Sequence, residues 1–212
     1  MTINLIAFFL GSSNTMGGDT RIMIELAKQA LLQSKDISLR IFISPEGEKL
    51  FKENGLTGKR VKYEILPVSA SGSISLLGHL KLLRASLDFL KKYQCKEGEL
   101  IYTRSHFWPE LFSSLYLKQK YKVKWLATMF LFYPFPWKGF EHSYDQKMIL
   151  PSIEGIWKYI YSNVSFWFIK NNADMVLITN SSDERYFKKG RIPLNRVLPV
   201  YGGLDLSEAA AA

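Results

Sequence analysis

The chain has 212 residues, 47% hydrophobic and 22% charged, enough apolar material for one large globular core, which excludes a disordered chain. A single cysteine, Cys95, excludes an internal disulfide and gives no sign of an oxidising compartment. The net charge of +9 is uneven, with +7 on residues 74–138 alone, a concentration that attracts the phosphates of nucleic acid, anionic lipid or a pyrophosphate-linked substrate.

In chain order the pattern is strand then helix, repeated. Ile3 to Leu10 is an apolar run suited to a parallel strand covered on both faces. It lacks the basic start and small-residue cleavage site of a signal peptide. A turn over Gly11 to Asp19 leads to a helix over Thr20 to Gln33, with Ile22, Leu26 and Ala30 at helical spacing. A second strand is expected over Ser38 to Ser44, a short helix over Glu46 to Asn54 closed by Gly55, and a third strand over Val61 to Pro67.

A longer helix is expected over Ser73 to Tyr93, its apolar stripe formed by Leu76, Leu80, Leu83, Leu87 and Leu90. A fourth strand follows at Glu99 to Thr103, a helix at Pro109 to Lys120 with proline in its first turn, and a fifth strand at Val123 to Phe130. Leu131 to Gln146 reads as an aromatic, proline-rich loop and Met148 to Lys170 as a long helix. A sixth strand at Asp174 to Thr179, a helix at Ser181 to Lys188 and a seventh strand at Arg196 to Tyr201 complete the pattern, with Ala209 to Ala212 set aside as a tail. The charge-free runs Trp125 to Trp137 and Tyr159 to Ile169 fall short of the roughly 20 residues a membrane span needs.

Such alternation implies an α/β, Rossmann-like, mostly parallel seven-strand sheet with helices on both faces. Ligands of these sheets bind beyond the carboxyl ends of the strands, so functional residues are expected just after Leu10, Thr103, Phe130 and Thr179. Gly17-Gly18-Asp19-Thr20-Arg21 opens the first helix there. Two glycines let backbone N–H groups approach an anion, and the helix N-terminus adds about half a positive charge. The spacing is not the dinucleotide GxGxxG, and a Gly-Gly turn also serves as a plain strand–helix connection. No spacing of His, Cys, Asp or Glu suggests a metal site, and no RNP, KH, zinc-finger or helix-turn-helix signature suggests nucleic acid as the partner. Cys95, in a polar helix end, is an unpromising nucleophile.

Three motifs in order, Gly17-Gly18 with Arg21, Ala173-Asp174-Met175-Val176-Leu177-Ile178 to Ser181, and Gly203-Leu204-Asp205, resemble the N-terminal domain of GT-B retaining glycosyltransferases of the group 1, glycogen-synthase-like type. The resemblance implies a first GT-B half over residues 1–208, with the C-terminal, donor-binding domain not contained in this sequence. It implies transfer of a sugar from a nucleotide-sugar co-substrate to an acceptor, without metal or other cofactor. Gly17, Gly18 and Arg21 would meet the donor's phosphates or sugar. The family's histidine after the fifth strand is missing from Thr128 to Phe132, which makes His106 the candidate catalytic residue. Arg104, Tyr133, Trp137 and His142 are the expected acceptor contacts.

The aromatic loop and the helix after it, with Trp157, Tyr159, Tyr161, Phe166, Trp167 and Phe168, suit sugar stacking, a membrane interface, the missing domain or the core. With the basic segment they suggest a lipid-linked or glycan acceptor and a cytoplasmic enzyme held peripherally on the inner face of the cell membrane, Lys81, Arg84, Lys91 and Lys92 meeting anionic lipid. A GT-B epimerase or sugar-phosphate synthase would read the same, and a basic α/β nucleic-acid-binding module is the rival from another class.

Overall fold

Each strand of the chain runs in one direction, and each connection returns it to the same end of a single sheet. The structure, a computed structural model, describes residues 1–8, 17–69, 76–133, 135–137, 150–179, 183–190 and 192–200, and of Leu76 the backbone alone. The elements are β1 (Thr2–Ala7), α1 (Gly18–Gln33), β2 (Ser38–Ile43), α2 (Pro45–Glu53), β3 (Val61–Ile65), α3 (Leu76–Leu90), β4 (Leu100–Thr103), α4 (Trp108–Tyr121), β5 (Lys124–Thr128), α5 (Ile153–Asn172), β6 (Met175–Ile178), α6 (Glu184–Lys189) and, after a 3-10 turn at Leu194–Arg196, β7 (Val197–Pro199). The sheet order is β3-β2-β1-β4-β5-β6-β7, and every pairing among the described strands is parallel. The expected α/β, seven-strand, Rossmann-like sheet is what the chain forms.

Strand side chains alternate between two cores, one on each face. Leu5 and Ala7 of β1 join Met23, Ile24 and Ala27 of α1 and Phe51 of α2 on one face. Ile6 joins Leu82 and Phe89 of α3, Leu111 and Leu115 of α4, Ile169 of α5 and Phe187 of α6 on the other. Polar ties run through the second core: the Trp125 indole donates to the Thr103 hydroxyl at 2.6 Å, which donates to Ser114 at 2.5 Å, joining β5, β4 and α4.

The sheet's order positions the site. From β1 the chain builds outward to β2 and β3, then crosses back to lay β4 on the other side of β1. The carboxyl ends of β1 and β4 therefore flank a crevice where successive connections leave in opposite directions, the place where parallel sheets bind ligands.

Two sequence expectations are corrected. The inward face of α3 is not the stripe of Leu80, Leu83 and Leu87. Of the expected stripe Leu90 is buried, together with His79, Leu82, Ser86 and Phe89, while Leu80 is exposed and Leu83 and Leu87 line an open groove beside Tyr116. Leucines occur on several sides of this helix, so two stripes fit the 3.6 period, and packing against α4 and the sheet selects the one holding Phe89. The long helix starts at Ile153 rather than Met148, because Ser152 caps it: the Ser152 hydroxyl accepts from the Gly155 N–H at 2.9 Å, directly after Pro151.

Substitution separates the two α3 faces. Leu82→Ala should cost about 2–4 kcal/mol in urea unfolding by leaving a cavity, and Leu80→Ala well under about 1. Equal losses would contradict the packing described.

Candidate functional site

At the carboxyl end of β1 the first helix begins with no side-chain cap: Gly17 is its N-cap residue and Gly18 its first residue, both exposed. An added Cβ at Gly18 would meet no atom of the described residues within 4 Å. At Gly17 it would lie 2.7 Å from the Asp19 carboxylate, which is itself held in place. Arg21 is half-buried in the next turn.

What holds Asp19 is the residue after β4. Arg104 continues the β1–β4 ladder through its N–H to the Ile6 carbonyl at 3.1 Å and turns its guanidinium inward, where it is 2% exposed. It donates to Asp19 at 2.5 Å and the Thr20 hydroxyl at 3.2 Å on α1, and through Nε and a terminal nitrogen to one oxygen of Glu110 at 3.1 and 2.9 Å on α4. Ser105 donates to the other Glu110 oxygen. Asp19 also accepts from the Thr20 N–H at 2.8 Å. Both carboxylates sit in the first turn of a helix, where the macrodipole favours negative charge.

His106, next along, is buried against Phe107, with ring centroids 5.4 Å apart, and against the edge of Tyr161 at 6.4 Å. Neither ring nitrogen has a hydrogen-bond partner among the described residues. Burial pushes its pKa down to about 4, the neighbouring Asp19 opposing this and Arg104 adding to it. The imidazole is neutral at physiological pH, able to donate one hydrogen bond and accept another. The Tyr161 hydroxyl, from α5, accepts the Trp108 N–H at the start of α4.

The aromatic segment after β5 lies against α5. The Tyr133 N–H reaches the Ser162 hydroxyl at 3.5 Å, and the Lys158 ammonium lies 6.0 Å from the Tyr133 ring. Trp137 stacks on Phe135 at 5.2 Å, and Phe135 meets Tyr159 at 5.1 Å; Trp137 is exposed. His142 and Gly203-Leu204-Asp205 lie outside the described residues.

The structure thus brings together Gly17, Gly18, Arg104 and His106, and puts Tyr133 and Trp137 on the neighbouring α5 rim. Arg104, expected to contact an acceptor, has its guanidinium turned into the protein instead. Sequence reasoning passed over Asp19 and Glu110. The signal for Glu110 was a carboxylate following Pro109 in a helix's first turn; Asp19 lies 85 residues from Arg104, and no local pattern pairs them. Lys81, Arg84, Lys91 and Lys92 are exposed on or just beyond α3, with Lys91 paired to Asp88 at 2.7 Å. Cys95 is buried and its pKa is pushed up to about 11 by burial and then by Glu99, which keeps the thiol protonated. Among the described residues no three His, Cys, Asp or Glu side chains are grouped to hold a metal, and no helix is long and apolar enough to cross a membrane.

Two substitutions test this arrangement. Arg104→Gln strands the buried Glu110 charge and should destabilise the fold by about 3–5 kcal/mol; adding Glu110→Gln should recover part of that loss in urea unfolding, whereas strictly additive losses would mean the groups are uncoupled. An unfolded histidine titrates near 6.5, so between pH 6.5 and 4 the unfolded chain takes the His106 proton first. The stability from keeping it neutral is full above that window and lost as pH falls through it, by about 3 kcal/mol. His106→Gln should therefore flatten the fall in Tm between pH 6.5 and 4; slopes equal to the unsubstituted protein's would contradict it.

No protein-family model matches the sequence, and no curated protein matches it. Solved structures do. Sucrose-phosphate synthase from Thermosynechococcus elongatus superposes with a TM-score of 0.64 at 16% identity, over 97% of this chain and 49% of that one. Anabaena HepE in complex with UDP gives 0.52 at 14% identity, over 98% and 45%. UDP-GlcNAc 2-epimerase from Methanocaldococcus jannaschii gives 0.50 at 12% identity, over 94% and 45%. The chain spans about half the length of these proteins. At such identities the likeness is one of fold: the chain has the fold of one Rossmann-like half of a GT-B enzyme.

Proposed function

We propose that this chain is the N-terminal, acceptor-side half of a GT-B glycosyltransferase, transferring a sugar from a nucleotide-sugar to an acceptor with retention of configuration. The observation that carries the reading is the uncapped N-terminus of α1: two exposed glycines at the carboxyl end of β1, with no described residue within 4 Å of a Cβ added at Gly18. Negative charge grows on the nucleoside diphosphate as it leaves, and backbone N–H groups fixed in place before the reaction stabilise that charge without reorganising. The α1 amides are this half's donors to the donor phosphates or sugar, with Arg21 on the next turn. A second domain outside this sequence holds the nucleotide, so residues 1–208 alone turn over no substrate. The chemistry uses neither metal nor other cofactor.

His106 is the catalytic candidate in this reading. Its imidazole is neutral, and both ring nitrogens are buried without a hydrogen-bond partner among the described residues, so in this reading a sugar hydroxyl reaches it when ligand binding opens the wall of the crevice. Arg104 acts as a positioning residue, setting Asp19 and the start of α1, in place of the acceptor contact expected of it. Tyr133 and the exposed Trp137 form the acceptor's stacking wall, with His142 on the same segment of sequence. The acceptor is lipid-linked or a glycan presented at the inner face of the cell membrane, where Lys81, Arg84, Lys91 and Lys92 meet anionic lipid. The likeness to a UDP-GlcNAc 2-epimerase supports a second reading on the same site, in which the sugar is isomerised and no acceptor is needed.

Gly18→Val in the intact enzyme tests the reading. No described residue lies within 4 Å of a Cβ added at Gly18, so Tm should hold, while turnover falls on the order of 100-fold or more as the ligand is kept from the amides. Near-normal turnover by the folded variant would reduce the glycine turn to a connector. Turnover of a nucleotide-sugar without any acceptor, giving the epimer, would select the second reading.

A further inference from the structure

The longest described helix, α5, is apolar on both sides: Trp157, Phe166 and Phe168 pack inward against Trp108, Phe187 and Phe112. On α5 the buried residues are Tyr161, Ser162, Ser165 and Ile169, three of them hydroxyl-bearing. The stripe facing away from the protein is Ile153, Ile156, Ile160, Asn163 and Trp167, at three- and four-residue steps, with Ile153 88% and Trp167 57% exposed. A surface helix ordinarily buries its apolar stripe and shows water a polar one; an apolar outward stripe needs a cover.

The surroundings continue the pattern. The start of α3 approaches the middle of α5, the His79 ring lying 5.5 Å from Tyr161. There α3 exposes Leu77, at 71%, and Leu80. Lys81 and Arg84 follow on the same helix, exposed and without a salt bridge among the described residues. The carboxylates on these two helices, Asp88 and Glu154, are already paired with Lys91 and Lys158. The outward side of α3 and α5 is therefore apolar with Lys81 and Arg84 beside it, Arg84 near Asp88, and both carboxylates already paired with lysines. That charge pattern complements an anionic bilayer: apolar side chains enter the acyl boundary, and basic ones stay among the phosphates.

We propose that the outward faces of α3 and α5 form a membrane-docking surface, in which Ile156, Ile160 and Trp167 insert into an anionic bilayer and Lys81 and Arg84 bind its phosphates. The inference rests on the membrane-surface part of the proposed function and moves the main contact from the lysines to the apolar stripe of α5. Lys92, just past the C-terminal end of α3, and Lys91, already paired, play the smaller part.

The test is co-sedimentation of the intact protein with vesicles of phosphatidylcholine containing one quarter phosphatidylglycerol. The triple substitution Ile156→Ser, Ile160→Ser and Trp167→Ser changes exposed positions only, and unchanged circular dichroism and Tm confirm its fold. It should lower the partition coefficient at least tenfold. Lys81→Gln with Arg84→Gln should weaken binding and remove most of its salt dependence. As a second readout, brominated lipid should quench tryptophan emission less in Trp167→Phe than in the unsubstituted protein. Absence of binding would overturn the proposal. So would binding that the apolar triple leaves unchanged, which would rest the contact on charge alone, or a concentration-dependent dimer abolished by the triple in sedimentation velocity, which would assign the face to a second copy. Vesicle binding is read without nucleotide-sugar, so its failure and a failure of sugar transfer are separate results.

Discussion

A guanidinium taken out of water has to be surrounded by acceptors, and around Arg104 this requirement organises the centre of the molecule. Its partners come from both sides of the crevice, Asp19 and Thr20 at the start of α1 and Glu110 at the start of α4. Replacing such a buried cluster by apolar groups often costs nothing, so its contribution is to position rather than to net stability. It fixes two helix N-termini relative to the ends of β1 and β4. With Asp19 tied down, the first turn of α1 keeps its direction although no side chain caps it. The glycines there are left open, and His106, two residues beyond Arg104, is turned into an aromatic wall where it stays neutral.

In the proposed reading, the crevice meets a charged ligand through the backbone of α1 rather than through side-chain charge. The cluster's one cation and two carboxylates leave a single net negative charge, and the neighbouring imidazole is uncharged. What the open edge presents to an anion is the backbone dipole of α1, a fixed donor set that needs no side chain to move. Much of the chain's basic excess lies instead on exposed positions of and around α3, such as Lys81, Arg84, Lys91 and Lys92.

Much of this was legible in the sequence, for identifiable reasons. Strands such as Ile3 to Ala7, buried on both faces, are nearly all apolar, and their alternation with helical periods fixes a parallel sheet almost by itself. A glycine pair after the first strand then has to lie at the carboxyl edge. What was not legible depends on which side of a helix meets the protein. On α3 leucines occur on several sides, so period alone could not choose between Leu80 and Leu82. On α5 apolar residues occur on both sides, Trp157, Phe168 and Ile169 inward and Ile156, Ile160 and Trp167 outward, so period alone does not say which side meets the core. The Arg104 cluster was hidden for a different reason: its partners are brought together by sheet order, and a charged residue after a strand is locally indistinguishable from a ligand contact.

The central claim is that a clamp inside the protein holds an unprotected helix N-terminus open for a nucleotide-sugar. The most direct measurement is a crystal structure of the intact protein with its nucleotide-sugar bound. The account predicts a phosphate or sugar oxygen within hydrogen-bond distance of the Gly18 N–H, His106 beside the sugar, and Arg104 still enclosed by Asp19 and Glu110. A nucleotide-sugar bound away from the carboxyl ends of β1 and β4, with Gly17 and Gly18 in contact with water alone, would contradict it.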